Sequence, residues 1–313
     1  MNPPAIAVVI PVFNEEAVLP ELFRRLGAVF DGHPDFAWSA VLVNDGSRDR
    51  SGELLAAQCG RDARFKLIEL SRNFGFQSAL AAGLAAASAA GAVVTMDADL
   101  QDPPELIPEL AAAWKQGAEV VRAVRSTRSE TGLRRIAFDL FHLFFGALTD
   151  YPIEPHSGTF GLLGRPAVDA FLQLPERHRF FPGLRAWVGF PRSDVPYARQ
   201  ERAAGRPQQN LPRLIRYALD GLFSFSYLPL RLLTYTGLFI AGLGFAVGLF
   251  FVCKRLLGIE VAQTGFTTLV TLVLFLGGMQ LIGIGVLGEY LGRIYDEVKQ
   301  RPNFIVRRRI GFD

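Results

Sequence analysis

Two aspartates separated by a single residue are the most prominent candidate site in the sequence. Asp97 and Asp99 directly follow the apolar run 92–96, inside the stretch TMDADLQDPPE at 95–105. Carboxylate oxygens are preferred ligands of hard divalent cations such as Mg²⁺ and Mn²⁺, which commonly complete their coordination shell with substrate phosphates. Acids at the end of a strand also cap helices or solvate turns, so the pair alone is a weak signal. Its position behind a buried strand, with Gln101 beside it, favours a divalent-metal site.

Amide and acidic side chains also follow the first two predicted strands. Asn14 and Glu15 follow the first, and the run NDGSRD at 44–49 follows the second. At a strand end such groups can hydrogen-bond a base or a ribose, whereas Ser47 or Asp49 can equally cap the next helix. Capping accounts for Ser47 and Asp49 but leaves the other polar residues unexplained.

A group of arginines lies further along the chain. Its members are Arg122, Arg125, Arg128, Arg134 and Arg135. Such a run is usually a solvated surface, but here it lies between the acidic strand end and the apolar stretch 134–149. That stretch fits either a helix at a membrane interface or an ordinary buried amphipathic helix. Because guanidinium groups bind phosphate bidentately, the arginines indicate a phosphate site at a membrane surface.

Alternating strands and helices in the first part of the chain must position these residues. The predicted strands are 6–12, 39–44, 65–70, 92–96 and 119–124, and the predicted helices are 15–30, 51–61, 77–90 and 104–117. The alternation predicts βαβ units and a mostly parallel sheet, in which ligands bind beyond the carboxyl ends of the strands. The polar clusters therefore belong to one edge of one sheet. The section from 151 to about 209 is rich in proline and aromatic residues and is predicted to be mostly loop.

Two segments without a charged residue, 234–253 and 266–288, follow towards the C-terminus. At about 1.5 Å per residue each reaches the roughly 30 Å of a bilayer hydrocarbon core, which favours a transmembrane hairpin over two buried helices of a soluble core. The segment 211–233 mixes arginine with aromatic residues and is predicted to be a juxtamembrane amphipathic helix. Basic residues flank the hairpin on both sides, so the positive-inside bias places both of its ends in the cytoplasm. The expected organisation is a cytoplasmic domain at 1–210, the juxtamembrane segment, the hairpin at 234–290 and a basic cytoplasmic tail at 291–313.

Composition and missing motifs disfavour several classes of protein. The net charge of +3 does not indicate a nucleic-acid partner, and Cys59 and Cys253 have no disulfide-framework or zinc-ligand spacing. No G-x-G-x-x-G follows a predicted strand, and no G-x-x-x-x-G-K-[ST] or G-x-S-x-G motif occurs, which disfavours dinucleotide oxidoreductases, P-loop NTPases and α/β-hydrolases. None of the four histidines has metal-ligand spacing, and only His156, beside Ser157, is a functional candidate.

The order of the motifs resembles that of the family 2, GT-A fold polyprenyl-phosphate glycosyltransferases, relatives of dolichol-phosphate mannose synthase and of bacterial undecaprenyl-phosphate glucosyltransferases. The motifs are PVFNEE, NDGSRDRS, SRNFGFQSALAAGL, MDADLQDPPELI, VRAVRSTR, RFFPGLRAWVGF, YARQERAAG, ALDGLFSFSYLPLRL and EYLGRIYDEVKQRP, and they span nearly the whole chain. The resemblance implies an α/β fold. It consists of a GT-A, Rossmann-like, mostly parallel sheet with flanking helices, interfacial amphipathic helices and a C-terminal two-helix transmembrane hairpin.

The resemblance also implies a reaction. A sugar, in the first instance glucose from UDP-glucose, would pass with inversion from a nucleotide diphosphate to undecaprenyl phosphate on the cytoplasmic face of the inner membrane. GDP-mannose or another UDP-sugar is the alternative donor, and an inactive membrane-anchored scaffold is the alternative class of protein. A processive polysaccharide synthase is disfavoured because no Q-x-x-R-W motif occurs and two membrane helices are too few for a translocation channel.

The resemblance assigns roles to individual residues. Pro11, Asn14, Glu15, Asp45 and Asn73 would line the nucleotide, and Asp97, Asp99 and Gln101 would hold Mg²⁺ or Mn²⁺ and the diphosphate. Arg125, Arg128 and Arg135 would face the acceptor phosphate, and Arg202 would approach the donor diphosphate. A homo-oligomer, a dimer or a tetramer, is an expected assembly.

The sequence departs from the family pattern at three places. Asn44 replaces the first acid of the usual DDGS, Gly158-Thr159-Phe160-Gly161 replaces G-D-F-R, and the run RAAGRPQ at 202–208 lacks the lysine of R-x-x-G-E-S-K. The acid lost at 159 need not abolish catalysis, because a phosphate monoester with a second pKa of about 6 is already an anion at neutral pH. Such a nucleophile requires alignment and charge shielding, which arginines and a metal supply.

Overall fold

The computed structural model describes residues 3–125, 157–177, 179–198, 228–257 and 265–312. The predicted interfacial stretch 134–149 and most of the predicted segment 211–233 lie outside this part of the chain. The chain forms two compact units. The first combines Met1–Ala218 with Arg301–Asp313, and the second is Leu219–Gln300.

The first unit is built on one mixed sheet. Its strands are β1 Ala5–Val12, β2 Ala37–Asn44, β3 Phe65–Leu70, β4 Ala92–Thr95, β5 Val120–Arg125, β6 Ser157–Gly164, β7 Arg192–Tyr197 and β8 Val306–Ile310. Its helices are α1 Leu19–Gly32, α2 Ser51–Arg61, α3 Phe76–Ala86, α4 Ile107–Lys115, α5 Arg165–Gln173 and α6 Phe181–Trp187, with a 3-10 turn Pro104–Leu106 before α4. The strand order is β7-β5-β6-β4-β1-β2-β3-β8, in which only β6 and β8 run antiparallel to their neighbours. This architecture confirms the predicted α/β class with a mostly parallel sheet.

The central strands are covered on both faces, and this explains why they are continuous apolar runs in the sequence. Val8 and Ile10 of β1 belong to the core on the face covered by α1 and α4. Val9 points to the opposite face, because side chains alternate along a strand. There α3 approaches so closely that a Cβ on Gly83 would lie 2.3 Å from Val9 Cγ1. Each fully buried aliphatic side chain of this kind contributes about 1.5–3 kcal/mol.

The prediction of mostly loop between 151 and 209 was wrong for the described residues 157–198, which contain β6, α5, α6 and β7. Glycines interrupt the apolar pattern of β6, SGTFGLLG, and β7, RSDVPY, carries charges and a proline. A proline is tolerated in β7 because that strand lies at the edge of the sheet. Neither strand has a clear period of its own, so its identity depends on the neighbours with which it pairs.

Helix α1 also begins later than predicted, at Leu19 rather than near Glu15. A turn in which the Val18 N–H donates to the Glu15 carbonyl at 3.0 Å precedes it. Pro20 then lies in the first turn of the helix, where its missing N–H has no intrahelical partner to lose. Residues 13–18 therefore form a loop at the end of β1.

The C-terminal residues that were predicted as a basic tail return to the sheet. β8 pairs antiparallel with β3, which is otherwise an edge strand. Arg308 makes two hydrogen bonds of 3.0 Å to the Glu69 carboxylate. Just before β8, the Ile305 carbonyl accepts a hydrogen bond from the Ser71 N–H at 2.9 Å.

The described residues of the second unit form two long helices, α7 Leu228–Leu256 and α8 Phe266–Val298. Two stretches, Leu228–Val247 and Phe275–Val298, are long and apolar enough to cross a membrane. Large apolar side chains project outward along both helices, for example Phe239 at 71% exposed and Leu281 at 71% exposed. A continuous exposed apolar surface of this kind is unfavourable in water and marks a protein or membrane contact.

Candidate active site

Strand direction brings the polar clusters to one edge of the sheet, which we call the carboxyl edge. β1 to β5 and β7 all end at this edge, whereas antiparallel β6 begins there. The segments at this edge are the loops 13–18, 45–50, 71–75 and 96–103, together with the last residues of β5 and β7 and the first residues of β6. The predicted convergence of the polar clusters is therefore confirmed.

Pro11 and Asn14 shape the end of β1. The Val9 carbonyl accepts a hydrogen bond from Met96, and β1 pairs with β4 only as far as Val9. The backbone nitrogen of Pro11, two residues further on, also points towards β4. Because β4 no longer pairs with β1 at this position, the missing N–H of Pro11 removes no hydrogen bond between the strands. Asn14 has φ of 56°, a left-handed conformation that asparagine tolerates better than most residues.

Backbone-to-side-chain hydrogen bonds join the loop after β1 to the loop after β2. The Asn14 N–H donates to Ser47 Oγ at 3.1 Å, and Asn14 Oδ1 accepts from the Arg48 N–H at 2.8 Å. The Glu15 N–H donates to Ser51 Oγ at 3.0 Å. Ser47 thus supports the β1 loop rather than capping α2. The two loops form a single polar wall.

Asp49 accepts hydrogen bonds both at the start of α2, as the capping interpretation expects, and from the loop after β1. Its Oδ1 accepts from the Ser51 N–H at 3.0 Å, as a capping group would, and its Oδ2 accepts from the Glu16 N–H at 3.2 Å. The carboxylate therefore stabilises the start of α2 and the β1 loop together.

Asp45 anchors the loop that carries Asn73. Its two carboxylate oxygens accept hydrogen bonds from the backbone N–H groups of Phe74, at 2.7 Å, and Gly75, at 2.9 Å. Burial raises the pKa of the Asp45 carboxyl, while these two N–H groups act in the opposite direction. Asn73 itself is exposed and accessible to a ligand. The nucleotide contact assigned to Asp45 stays a prediction, beside its clear role in shaping this loop.

Asn44, one of the departures from the family pattern, has a structural role. It is buried at the end of β2, and its Oδ1 accepts a hydrogen bond from the Ser47 N–H at 3.0 Å. This hydrogen bond closes an Asx turn, in which an asparagine or aspartate side chain bonds a nearby backbone group. The amide therefore shapes the NDGS turn.

The acidic turn after β4 presents Asp97 and Asp99. Asp97 is half-buried, Asp99 is buried, and Asp99 Oδ1 accepts from the Gln101 N–H at 3.2 Å. Leu100 lies between Asp99 and Gln101 in the sequence and has φ of 58°. This left-handed conformation costs a residue with a Cβ about 1 kcal/mol or more. Strain is thus held at the turn that carries the predicted ligands.

The donor chemistry of this turn fits a hard divalent cation. Two carboxylates and the Gln101 amide offer oxygen ligands, which Mg²⁺ and Mn²⁺ prefer. Among the residues that the structure describes, no group of three or more His, Cys, Asp or Glu side chains could hold a metal by itself. A cation at Asp97 and Asp99 would therefore require further oxygens from a substrate or from water.

Arg125 is the one predicted acceptor arginine that lies within the described residues, and it reaches the carboxyl edge at the end of β5. Its Nε donates to the Tyr197 hydroxyl at 3.4 Å. Tyr197 in turn donates to Asp102 Oδ1 at 2.5 Å. Burial, with the Asp102 carboxylate as the next cause, raises the pKa of Tyr197, so the hydroxyl stays protonated. Tyr197 opens the run YARQERAAG, but the sequence assigned no role to it.

Arg122 does not belong to this group, because side chains on a strand alternate in direction. It lies on the opposite face of β5 from Arg125 and makes two hydrogen bonds of 2.7 Å to the Asp194 carboxylate. Arg128, Arg135 and Arg202 lie outside the described residues, as do His156 and His178.

The Gly158-Thr159-Phe160-Gly161 segment forms most of the first half of β6. Thr95 Oγ1 donates to the Thr159 carbonyl at 2.6 Å, which ties β6 to β4. A Cβ at Gly161 would lie 2.5 Å from the Val121 carbonyl and 3.3 Å from Arg185 Nη1. Residue 161 must therefore be glycine, because β5 and the Arg185 side chain of α6 leave no room for a Cβ.

The sheet and its acidic carboxyl edge define a GT-A-like transferase, and the chain belongs to glycosyl transferase family 2. The profile of that family matches residues 7–169, which include β1 to β6 and the acidic turn. A second profile, the GtrB C-terminal hairpin, matches residues 228–294.

Named relatives resemble the chain over almost its whole length. It is 43% identical over 310 residues to the glycosyltransferase sll0501 of Synechocystis sp., an alignment that covers 98% of this chain and 96% of that protein. It is 41% identical over 304 residues to the bactoprenol glucosyl transferase of Shigella phage SfII, with 97% of each chain covered. Among solved structures, glucosyl-3-phosphoglycerate synthase from Mycobacterium tuberculosis, in complex with Mn²⁺, UDP and glucosyl-3-phosphoglycerate, is 20% identical with a TM-score of 0.48 and covers 71% of this chain and 79% of that one.

Proposed function

We propose that this protein transfers glucose from UDP-glucose to undecaprenyl phosphate, with inversion at the anomeric carbon, on the cytoplasmic face of the membrane. The observation that carries the proposal is the 41% identity with bactoprenol glucosyl transferases over 97% of the chain, a span that takes in both units. Those relatives, as their names state, glucosylate bactoprenol, which is a polyprenol. Retention of Asp97, Asp99 and Arg125 at one edge supports an active enzyme rather than an inactive scaffold.

The residues of the carboxyl edge have distinct tasks in this reaction. Mg²⁺ or Mn²⁺ held by Asp97 and Asp99, with Gln101, would neutralise charge on the leaving diphosphate. The wall formed by the loops after β1 and β2, with Asn73 beside it, would hold the nucleotide. Arg125 would hold the acceptor phosphate, joined by Arg128 and Arg135 as the resemblance implies.

The strand order sets the spacing between these two phosphate sites. β6 lies between β4, which leads to the acidic turn, and β5, which ends at Arg125. Two strand spacings of about 4.8 Å separate the strand ends by roughly 10 Å, which leaves room for a hexose between the phosphates. An oxygen of the acceptor phosphate would attack the anomeric carbon as the bond from that carbon to the diphosphate oxygen breaks, and UDP would leave from the opposite side. The acceptor phosphate is already anionic at neutral pH, so Thr159 in place of an acid is compatible with this reaction.

We propose further that α7 and α8 cross the inner membrane as a hairpin, with the first unit and both ends of the chain in the cytoplasm. Both helices contain a stretch of sufficient length and apolarity. The chain that precedes the hairpin and the chain that follows it both contribute strands to the same sheet, which an even number of crossings permits. Lys299, Arg301 and the arginines of β8 follow the hairpin, as the positive-inside bias requires. A dimer or tetramer stays a prediction of the resemblance.

A donor screen tests the proposed reaction. Purified protein in lipid nanodiscs receives UDP-glucose, UDP-galactose, UDP-N-acetylglucosamine or GDP-mannose, with and without undecaprenyl phosphate and Mg²⁺ or Mn²⁺. We expect UDP release from UDP-glucose that depends on both lipid phosphate and metal, with a glucosylated lipid phosphate detected by mass spectrometry. Preferential use of another donor would overturn the sugar assignment, and no product from any donor would support the scaffold.

A further inference from the structure

Tyr197 connects two parts of the carboxyl edge that belong to different strands. It is the last residue of β7, directly beside Arg125 at the end of β5 in the parallel register. Its side chain is 7% exposed, and its ring packs edge-on against Phe160 with the ring centroids 5.8 Å apart. Its hydroxyl group has two polar partners among the described residues, Asp102 and Arg125.

The hydroxyl has a fixed direction because one partner can only accept. A tyrosine hydroxyl donates one hydrogen bond and offers its lone pairs to donors. The Tyr197 hydroxyl donates to Asp102 Oδ1 at an oxygen–oxygen distance of 2.5 Å, and it accepts a hydrogen bond from Arg125 Nε at 3.4 Å. Asp102 is 1% exposed and three residues beyond Asp99 on the acidic turn. The turn that carries the metal ligands is thereby linked through one hydroxyl to the acceptor arginine.

A glycine limits the same guanidinium at its far end. A Cβ built on Gly158, at the start of β6, would lie 3.1 Å from Arg125 Nη2. That distance is tighter than ordinary van der Waals contact, so a larger residue would shift the guanidinium. The Arg125 guanidinium therefore has a hydrogen bond at Nε, to the Tyr197 hydroxyl. Its Nη2 can lie against β6 because residue 158 lacks a side chain.

We propose that Tyr197 is a positioning residue for the acceptor site: held by Asp102, its hydroxyl sets the place of the Arg125 guanidinium and so the distance between the acceptor phosphate and the donor diphosphate. The proposal rests on the proposed function. In this proposal Tyr197 and Asp102 affect the reaction by positioning Arg125, and neither side chain contacts the reacting atoms.

The variant Tyr197→Phe keeps the packed ring and removes only the hydroxyl. The hydrogen bonds of the hydroxyl with Asp102 and with Arg125 are both lost. Because the hydroxyl no longer fixes the Arg125 guanidinium, the KM for undecaprenyl phosphate should rise about tenfold. The KM for UDP-glucose should stay as in the wild type. Tyr295→Phe, which removes an exposed hydroxyl from the second unit, is the matched control and should change neither KM.

Two further variants separate positioning from a general loss of packing. Gly158→Ala displaces the guanidinium without touching Tyr197, so it should also raise the KM for the lipid acceptor, and it serves as the test if Tyr197→Phe fails to fold. Arg125→Lys keeps the charge but loses the Nε contact with the hydroxyl. If the hydroxyl acts through Arg125, adding Tyr197→Phe to Arg125→Lys should cause no additional change in acceptor KM.

The outcomes distinguish this inference from the proposed function. A wild-type protein that forms no polyprenyl-phosphate sugar would remove the proposed function and the inference together. A wild-type protein that forms this product, with an unchanged acceptor KM in Tyr197→Phe and Gly158→Ala, would remove the inference alone. Equal rises in the KM for donor and acceptor, or full additivity with Arg125→Lys, would show a merely structural tyrosine and would also overturn it.

Discussion

Leu100 adopts a left-handed conformation with φ of 58° in the turn that presents Asp97 and Asp99. Its side chain is buried, so the residue is held there by packing, and the cost of the backbone is offset by the core. The bond from the Gln101 N–H to Asp99 then fixes the orientation of that carboxylate. The turn is therefore preorganised to present the Asp99 carboxylate, as the proposed metal site requires.

Asp99→Asn should therefore greatly slow transfer while leaving folding and membrane insertion intact. The amide keeps an oxygen for the Gln101 N–H but removes the negative charge that a divalent cation requires. Charge stabilisation by a metal is worth several kcal/mol, so kcat should fall by about 100-fold or more. UDP release at several Mg²⁺ and Mn²⁺ concentrations measures this effect. Asp169→Asn, at an exposed ion pair on α5, is the control, and near-normal turnover in Asp99→Asn would contradict the metal assignment.

Single residues also show what the sequence could reveal about the site. Asp97, Asp99 and Arg125 could be predicted as site residues because their types and their positions after strands indicate phosphate and metal chemistry. The anchoring role of Asp45 was not visible, because it depends on where the chain returns after β3. Tyr197 was missed for the same reason, since its partner Asp102 is distant in the sequence.

At the scale of elements, the loops after β2 and β3 are interlocked by a glycine. Gly46 has φ of 68°, and a Cβ there would lie 2.6 Å from the backbone of Arg72 and Asn73. Gly46→Ala should therefore displace the loop that carries Asn73, raise the KM for the nucleotide sugar and lower the free energy of unfolding by about 2 kcal/mol or more. Thermal unfolding and donor kinetics measure both effects.

The matched control for that change is Gly27→Ala in α1. No atom lies within 4 Å of a Cβ built on Gly27, so alanine should stabilise the helix by about 0.5–1 kcal/mol and leave the donor KM unchanged. If Gly46→Ala behaved like Gly27→Ala, the interlocking of the two loops would not matter for donor binding.

The elements differed in how well the sequence predicted them. β1 to β5 are apolar runs bounded by turn residues, and all five were predicted with small shifts at their ends. β6 is rich in glycine, β7 contains a proline, and β8, VRRRI, is dominated by arginine. These three segments form strands because they pair with neighbouring strands. Local sequence periodicity does not reveal such pairing.

Removal of β8 tests how much the first unit depends on the end of the chain. A truncation after residue 304 uncovers β3 and removes the Ile305 carbonyl that accepts from the Ser71 N–H. The free energy of unfolding should fall by about 2 kcal/mol or more, and the donor KM should rise because the 71–75 loop loses a backbone bond.

Arg308→Ala is the control for the truncation, because it removes a salt bridge and keeps the strand. The Arg308 side chain is 54% exposed, so the ion pair with Glu69 is screened by solvent and should contribute less than about 1 kcal/mol. A truncation no more destabilising than Arg308→Ala would show that β8 is dispensable for the first unit.

At the scale of the whole molecule, the hairpin is inserted between two parts of one sheet rather than appended to a finished domain. β1 to β7 precede the two long helices, and β8 follows them. In the proposed topology the chain returns to the side from which it left, which two membrane crossings accomplish and one does not. The proposal therefore expects the connection between α7 and α8 to face away from the cytoplasm.

Thiol labelling in intact cells tests this topology. The native Cys59 is a poor reporter, because burial raises its pKa to about 11 and little reactive thiolate forms at neutral pH. In a background without cysteine, Leu257→Cys, at an exposed position just after α7, should react with a membrane-impermeant maleimide in spheroplasts. Gly60→Cys, exposed at the end of α2, should react only after the membrane is permeabilised. Labelling of Gly60→Cys but not Leu257→Cys in spheroplasts would show the opposite orientation. If neither cysteine reacted before lysis, the connection between α7 and α8 would not be exposed outside the cytoplasm.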